Sequence, residues 1–193
     1  MALVLASSSP IRRAMLEAAG VGHEVVPARI DETAIKARLS DPGETALELA
    51  KAKALEVSPP RADDWVVGSD SVVSVGPRLF DKPADRAQAA DHLRFFSGKQ
   101  MQLTSAVALA HGGTVNWSHC ETARLQVREL SDAFIQTYLN AEWPDVSYCV
   151  GVFKIEGRGV QLFSSIEGDH FTIQGMPLLA LLGALRDRGV IAA

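Results

Sequence analysis

Cysteine is scarce in this sequence, which has only Cys120 and Cys149 among its 193 residues. Their spacing matches no zinc-binding pattern, and two cysteines cannot supply the disulfide framework of a small secreted domain. With 47% hydrophobic residues, the chain can instead be stabilised by an apolar core. The composition therefore predicts one domain over residues 1–193, with two half-buried thiols in a reducing compartment.

Long apolar runs are missing as well. The longest one, Leu178 to Leu185, is far shorter than the roughly 20 residues that cross a bilayer. The opening stretch from Ala2 to Ala6 has the length of a strand and no basic segment before it, so it does not resemble a signal peptide. We therefore expect a cytoplasmic protein without a membrane partner.

Positive charge is in deficit, since 19 Lys and Arg face 23 Asp and Glu, which gives a formal net charge of -4. Nucleic-acid binding draws its affinity from many Lys and Arg that neutralise phosphates. The balance therefore argues against a nucleic-acid partner. A small anionic ligand held by a few focused cations is compatible with it.

Apolar periodicity and turn residues predict strands that alternate with helices. The predicted strands cover residues 2–6, 23–27, 65–67, 72–75, 101–110, 114–127 and 157–166. The predicted helices cover residues 10–19, 45–57, 85–96, 132–140 and 177–188. Gly112 and Gly113 favour a hairpin, which is the clearest antiparallel signal. This pattern predicts an α/β fold with a mixed twisted sheet and flanking helices.

The first candidate site is the serine-rich turn between the first strand and the first helix. Ser9 is a typical helix cap, Pro10 suits the first helical position, and Arg12 and Arg13 follow in the opening turn. Backbone N–H groups and the helix dipole favour an anion there, and arginine adds bidentate phosphate contacts. A capped surface helix with two solvated arginines explains Ser9 and Pro10 equally well.

Carboxylates and lysines further along the chain are the other candidates. Asp70 follows two small residues at the predicted end of an apolar strand, where a carboxylate can bind Mg²⁺ or activate water, although Asp-Ser is also ordinary turn chemistry. Asp31 and Glu32 are further carboxylates, but an exposed acidic loop is the simplest explanation for both. Lys53 and Lys82 can neutralise a polyphosphate, although most lysines are merely solvated.

Several short motifs follow one another in the order and spacing typical of one family. They are Leu5-Ala6-Ser7-Ser8-Ser9-Pro10, Arg12-Arg13 with Met15-Leu16, Asp31-Glu32-Thr33, Leu49-Ala50 with Lys53-Ala54, Gly68-Ser69-Asp70, Lys82-Pro83, Ser97-Gly98, Gly151 with Lys154 to Gly157, and Gly175-Met176-Pro177-Leu178. In this series the sequence resembles the Maf proteins over nearly its whole length. The resemblance implies an inosine-triphosphatase-like architecture with two lobes around a central cleft.

The resemblance also implies an activity. Maf proteins are nucleoside triphosphate pyrophosphatases, which hydrolyse the α–β phosphoanhydride bond with a divalent cation such as Mg²⁺ or Mn²⁺. On matching positions, Asp70 is expected to prepare the water, and Glu32 to be the second carboxylate at the metal. The expected phosphate-binding residues are Ser9, Arg12, Arg13, Lys53 and Lys82. The sequence does not distinguish Arg12 from Arg13 as the closer phosphate contact.

Three positions select the substrate in the family. The branch acting on dTTP and UTP has arginine, threonine and glutamine there, whereas this chain has Ile11, Ser71 and Glu156. Glutamate at the third position, after Phe153-Lys154, resembles the branch acting on 7-methyl-GTP, because a carboxylate can accept from a guanine's N1–H and exocyclic amine. Ile11 and Ser71 depart from that branch too, which has an aromatic residue and glutamine. The resemblance implies 7-methyl-GTP or another modified nucleotide, with dTTP or UTP as the alternative.

A second class of function is a nucleotide-sensing regulator, since Maf proteins have been linked to septum formation. The retained Asp70, Lys53 and Lys82 favour an enzyme over such a module. A nonspecific phosphatase is a smaller rival, because the sequence has no nucleophilic Cys or Asp phosphatase motif. The family resemblance further implies a homodimer.

Overall fold

The computed structural model describes residues 2–192, and the sheet in this part of the chain has seven strands. The strands are β1 (Leu3–Leu5), β2 (Glu24–Val25), β3 (Trp65–Val75), β4 (Arg78–Phe80), β5 (Gln100–His111), β6 (Thr114–Val127) and β7 (Phe163–Glu167). The helices are α1 (Pro10–Ala18), α2 (Glu32–Lys36), α3 (Pro42–Val57), α4 (Arg86–Phe96), α5 (Asp132–Glu142), α6 (His170–Gln174) and α7 (Leu178–Asp187).

The strand order is β2-β1-β3-β5-β6-β7, and β4 pairs with β3. β1 runs parallel to β2 and β3, whereas β4 and β7 are antiparallel to their partners. The sheet is therefore mixed, which confirms the predicted α/β class. The predicted hairpin is also present, since β5 and β6 are neighbours in the sheet and are joined by Gly112 and Gly113. Both glycines have positive φ angles, of 59° and 74°, as a tight hairpin turn requires.

The chain divides into two compact units. The first contains the residues up to Ser71, Thr104–Glu121 and those from Asp169 onward, and the second contains Val72–Leu103 and Thr122–Gly168. Strands β3, β5 and β6 contribute residues to both units.

The core of the first unit surrounds β1, which is apolar and buried along its whole length, as expected for an internal parallel strand. Val4 pairs with Glu24 of β2 and with Val66 of β3. The hydrophobic cluster of this unit comprises Leu3, Leu5, Met15, Leu16, Val21, Val67, Val107, Leu109, Met176, Leu178, Leu181, Ala184 and Leu185. Packing of α1 against β1 fixes the start of that helix.

Helix α3 packs unusually close to β3 at Gly68. A Cβ atom at this position would lie 2.6 Å from the backbone nitrogen of Ala54 and 3.0 Å from the Ala54 methyl group. Only glycine lets the strand and the helix backbone approach to this distance. The side chains of α3 near Ala54 are thereby placed beside the residues that follow Gly68.

Strand β3 is uninterrupted from Trp65 to Val75, so the predicted bend after residue 67 is wrong. Asp70 lies inside the strand and is 7% exposed, rather than at a strand end. Polar residues are accommodated there because they find partners. The buried Ser69 hydroxyl donates to the backbone carbonyl of Ala106 at 2.8 Å.

The second unit has antiparallel pairing. Val73 of β3 pairs with Phe80 of β4, and Leu125 of β6 pairs with Ile166 of β7. The strand predicted over residues 157–166 is wrong in its first half, because Arg158–Leu162 forms a 3₁₀ helix and β7 begins at Phe163. The chain is folded back tightly there, since a Cβ atom at Gly159 would lie 2.9 Å from the Lys154 nitrogen.

Two short helices and one strand were not predicted. Asp31 caps α2 by accepting from the Ala34 N–H at 3.0 Å, so the segment expected as an acidic loop is helical. Asp169 caps α6 in the same way, and the short strand β4 was missed. Helix α3 starts at Pro42, before the predicted start, and β2 is shorter than predicted.

Both cysteines are free and half-buried, as predicted. Within residues 2–192, no helix has the length and apolar character needed to span a membrane.

Candidate active site

Lys53 binds two carboxylates in the first unit. Its Nζ forms a short ion pair with Asp70 Oδ1 and lies 2.8 Å from Glu32 Oε1. The side chains of Lys53 and Asp70 are only 12% and 10% exposed, whereas that of Glu32 is 42% exposed. Attraction between charges strengthens as water is excluded, so the Lys53–Asp70 pair is the strongest of these contacts.

Three elements supply this cluster. Lys53 lies on α3, which the contact at Gly68 holds against β3, and Asp70 lies two residues after Gly68 on that strand. Glu32 is the first residue of α2, whose position is set by the Asp31 cap. The short helix that the sequence did not reveal therefore delivers the second carboxylate.

Arg12 lies close enough to Asp70 and Glu32 for their charges to act on it. Its Nε donates to the Gly175 carbonyl at 2.9 Å, and its Nη2 donates to Ser71 Oγ at 3.1 Å. Burial lowers the pKa of the Arg12 guanidinium, while the negative charges of Asp70 and Glu32 act in the opposite direction. The group stays protonated because the ordinary pKa of arginine is so high.

The neighbours of Arg12 have other surroundings. The Arg13 side chain is 61% exposed and pairs with Glu17 of the same helix at 2.7 Å. Ser9 caps α1, since its Oγ accepts from the Arg12 N–H at 3.4 Å. Ile11 packs against the hydrophobic cluster of the first unit. Asp70 and Glu32 act on the pKa of Arg12, whereas Arg13 pairs with Glu17, so these surroundings favour Arg12 over Arg13 as a phosphate contact. That role stays a prediction.

Lys82 and Glu156 lie in the second unit, where charged groups surround the Cys149 thiol. Burial raises the pKa of Cys149 to about 11, with Glu156 acting in the same direction and Lys154 and Lys82 in the opposite one. Because charges act on a thiol only from nearby, these residues share one neighbourhood. Lys154 also pairs with Asp145, with 3.3 Å between Nζ and Oδ2.

The loop that carries Lys154 and Glu156 has a strained backbone. Val152 adopts a positive φ of 58°, which is rare for a β-branched residue, and its side chain is fully buried. The Tyr138 hydroxyl donates to the Val152 carbonyl at 2.9 Å. Burial and this hydrogen bond stabilise a conformation that the sequence alone would not favour.

The Asp70 and Glu32 carboxylates fit a divalent cation that arrives with a polyphosphate. Their oxygens converge on one cationic group, Lys53 Nζ. Among residues 2–192, no group of three or more His, Cys, Asp or Glu side chains could hold a metal ion. Mg²⁺ commonly takes one or two carboxylates and completes its octahedron with phosphate oxygens and water. The observed pair suits that mode of binding and not a cage made entirely of protein.

The sequence did not reveal that Ser71, Ser105 and Gly175 hold Arg12 in place. Ser71, already named as a selective position, also contacts Ser105, with 2.8 Å between the hydroxyl oxygens, and the Gly175 carbonyl at 3.0 Å. Gly175 has a φ of 119° and ends α6. The available signals were a polar Thr104-Ser105 pair inside the apolar stretch of β5 and a glycine before Met176-Pro177.

Comparisons with known proteins place these residues in a family. The chain is 47% identical to a Rhizobium etli protein named 7-methyl-GTP pyrophosphatase, over 98% of this chain and 97% of the relative. It is 43% identical to a Rhodopseudomonas palustris protein named nucleoside triphosphate pyrophosphatase, over 98% and 95%. A solved dITP/XTP pyrophosphatase from Mycobacterium abscessus is 18% identical, with 97% of each chain covered and a TM-score of 0.46. The family described as Maf-like protein matches residues 2–188, and the chain therefore belongs to the Maf family.

Proposed function

We propose that the chain is a nucleoside triphosphate pyrophosphatase, which hydrolyses the α–β phosphoanhydride bond to a nucleoside monophosphate and pyrophosphate. The observation that carries the proposal is the cluster in which Lys53 binds both Asp70 and Glu32 beside Arg12. Cations for a polyphosphate and a carboxylate for water activation are thus held together. The names of the relatives in Rhizobium etli and Rhodopseudomonas palustris support the same chemistry.

In the proposed reaction, water attacks the α-phosphorus while the bond to the bridging oxygen breaks and pyrophosphate leaves. Asp70 accepts one proton of the water through Oδ2, because Oδ1 is bound to Lys53. Arg12 and Lys53 oppose the negative charge that builds up on the departing pyrophosphate. Phosphoryl transfer depends mainly on such positioning and electrostatic stabilisation.

We propose Mg²⁺ or Mn²⁺ as the cofactor, held by Asp70 and Glu32. When bound, the ion would neutralise phosphate charge and help to orient the water. Lys53 contacts the same two carboxylates, so metal binding requires it to share them or to turn towards the phosphates. Lys82 is proposed as a further phosphate-binding cation.

The preferred base is proposed to be 7-methyl-guanine. Glu156 offers two carboxylate oxygens, and a guanine ring presents two adjacent donors, N1–H and the exocyclic amine. The exposed Glu156 follows Val152, whose unusual backbone conformation is stabilised by burial and by the hydrogen bond from Tyr138. The Rhizobium etli relative's name points to the same base.

The test is to incubate the purified protein with Mg²⁺ or Mn²⁺ and a panel that includes 7-methyl-GTP, GTP, UTP and dTTP, and to identify the products. Monophosphate with pyrophosphate, fastest from 7-methyl-GTP, is the expected result. Diphosphate with orthophosphate would exclude the proposed bond. Omission of the metal, with a chelator present, is expected to abolish turnover. Binding without turnover would favour a nucleotide-sensing module.

We further propose a cytoplasmic homodimer. The cytoplasm is where nucleoside triphosphates are made, so an enzyme that removes modified ones is expected there. Light scattering coupled to size-exclusion chromatography tests the assembly, because a monomer of 20.7 kDa differs clearly from a dimer.

A further inference from the structure

The backbone carbonyl of Gly175 accepts from Arg12 and lies close to two serine hydroxyls in the first unit, although the Ser69 hydrogen goes to the Ala106 carbonyl. Arg12 Nε lies 2.9 Å from this oxygen, Ser71 Oγ 3.0 Å and Ser69 Oγ 3.3 Å. The carbonyl can face these groups because Gly175 has a φ of 119°, a conformation that other residues rarely adopt. Arg12 is thus anchored to the backbone at the end of α6.

The hydroxyl of Ser71 is occupied by protein partners. It accepts from Arg12 Nη2 at 3.1 Å, and it lies 2.8 Å from Ser105 Oγ and 3.0 Å from the Gly175 carbonyl. A serine hydroxyl has one hydrogen and two acceptor lone pairs. Whether that hydrogen points to Ser105 or to Gly175, it is taken by a protein acceptor. The single hydrogen of Ser71 and one of its lone pairs are therefore used within the protein, the lone pair by Arg12.

Ser105 extends the contact to the backbone of α6. Its side chain is fully buried, and its hydroxyl lies 2.8 Å from the Thr172 carbonyl. A buried hydroxyl without partners is costly, so this arrangement resists change. Arg12 is therefore held directly by Gly175 and Ser71, and Ser105 in turn holds Ser71.

We propose that Ser71 acts on the substrate through Arg12, as a positioning residue, and that Ser105 is a second positioning residue in the same chain of hydrogen bonds. This inference rests on the proposed function, in which Arg12 binds phosphate. Since all nucleoside triphosphates present the same phosphates, the contribution that Ser71 makes through Arg12 is common to all of them.

The test compares kcat and KM of wild type, Ser71→Ala, Ser105→Ala and Arg12→Ala, with the double variant of positions 12 and 71, on 7-methyl-GTP, GTP, UTP and dTTP. Ser71→Ala and Ser105→Ala are expected to lower kcat/KM about tenfold. In the Arg12→Ala background, Ser71→Ala is expected to add less than about twofold, because its target is gone. Ser71→Thr, which keeps the hydroxyl, should restore most of the activity.

Full additivity of Ser71→Ala with Arg12→Ala would overturn the proposal, because Ser71 would then act independently of Arg12. Binding of an α,β-methylene analogue of UTP, measured by calorimetry, separates this inference from the proposed function. Wild-type binding without turnover of the natural substrates would refute the pyrophosphatase and leave the positioning role to be judged by the same double-variant comparison of affinities. A wild-type protein that neither binds the analogue nor cleaves any triphosphate would refute both.

Discussion

The backbone of Gly68 lies so close to that of Ala54 that a methyl group at position 68 would sit 2.6 Å from the Ala54 nitrogen. Lys53 precedes Ala54 on α3, and Asp70 follows Gly68 on β3. The ion pair between Lys53 and Asp70 therefore depends on how closely a helix and a strand can approach. A residue without any side chain thus sets the geometry of the candidate active site.

Replacing Gly68 by alanine is expected to push α3 away from β3. Overpacking of a buried contact costs about 1–3 kcal/mol, so the free energy of unfolding should fall by that amount. Turnover should fall as well, because Lys53 moves relative to Asp70. Denaturant unfolding and the pyrophosphate-release assay measure the two effects.

Gly183 of α7 provides the matched control, since a Cβ atom there meets nothing within 4 Å. In a helix interior, Gly183→Ala should stabilise the protein by up to about 1 kcal/mol and leave turnover unchanged. If both alanine variants behaved alike, the close approach at Gly68 would have no special role.

The turnover of the Asp70→Asn variant should be about 10²–10⁴-fold lower than that of wild type, because an amide cannot accept the proton of the attacking water. A surface-turn carboxylate would contribute little to stability, but Asp70 is only 7% exposed and pairs with Lys53. The unfolding free energy should therefore fall by about 1–3 kcal/mol. Single-turnover kinetics and denaturant unfolding are the measurements.

Asp31→Asn is the control for the loss of one negative charge near α2. Asparagine caps a helix as well as aspartate does, so α2 and Glu32 should stay in place. This variant is expected to keep turnover within about threefold of wild type. Turnover retained by Asp70→Asn would remove Asp70 from the mechanism.

Arg12→Lys and Arg13→Lys form a matched pair that preserves the charge. Lysine cannot donate to Gly175 and Ser71 in the fork geometry of a guanidinium, so Arg12→Lys should lower kcat/KM about 100-fold. The exposed Arg13 pairs only with Glu17 in the described part of the chain, and Arg13→Lys should stay within about threefold. Equal effects of the two variants would contradict the assignment of Arg12 to the site.

Glu156→Gln is expected to lower the preference for 7-methyl-GTP and GTP over UTP about tenfold, because one acceptor oxygen for the guanine donors becomes an amide group. Ratios of kcat/KM across the substrate panel measure the shift. Glu167→Gln is the matched control, because Glu167 lies in the same unit and its side chain is 77% exposed. This variant should leave the ratios unchanged. An unaltered ranking in Glu156→Gln would remove that residue from base recognition.

Much of the fold could be predicted because its signals are local. Apolar runs such as Leu3–Leu5 and the Ser9-Pro10 cap fix a strand and a helix start by nearest-neighbour chemistry. Asp70 was placed at a bend because Gly-Ser-Asp-Ser is turn-like in isolation. The sheet overrides that preference by giving Ser69 a partner in Ala106 and by seating α3 on Gly68.

The site was predictable as a set of residue types and not as a set of contacts. Family motifs singled out Lys53, Asp70 and Arg12, but the partners of Arg12 lie far along the chain. Gly175 is 163 positions away from Arg12 in sequence, and Ser105 is 34 positions away from Ser71. No periodicity or spacing rule connects such positions, because only tertiary packing brings them together.

Cys149 gives a prediction that depends on pH. Burial raises the pKa of its thiol to about 11 in the folded protein, above the ordinary value of about 8.5 for an unfolded chain. The folded state thus holds the proton more tightly, so this contribution to stability is complete below about pH 8.5 and is lost as the pH rises towards 11. Over the roughly 2.5 pH units between these two values, the loss should amount to at most about 3.4 kcal/mol.

Cys149→Ser isolates that contribution, because serine has a similar shape and does not ionise in this range. Urea unfolding of both proteins at pH 7 to 11 should show a smaller decline for the variant, whatever the difference at pH 7. Burial also raises the pKa of Tyr138, with smaller contributions from Glu142 and from Cys149 itself. Because burial is the largest cause and is common to both proteins, the comparison removes most of this effect. Parallel pH profiles would mean that the Cys149 thiol ionises as easily in the folded protein as in the unfolded chain.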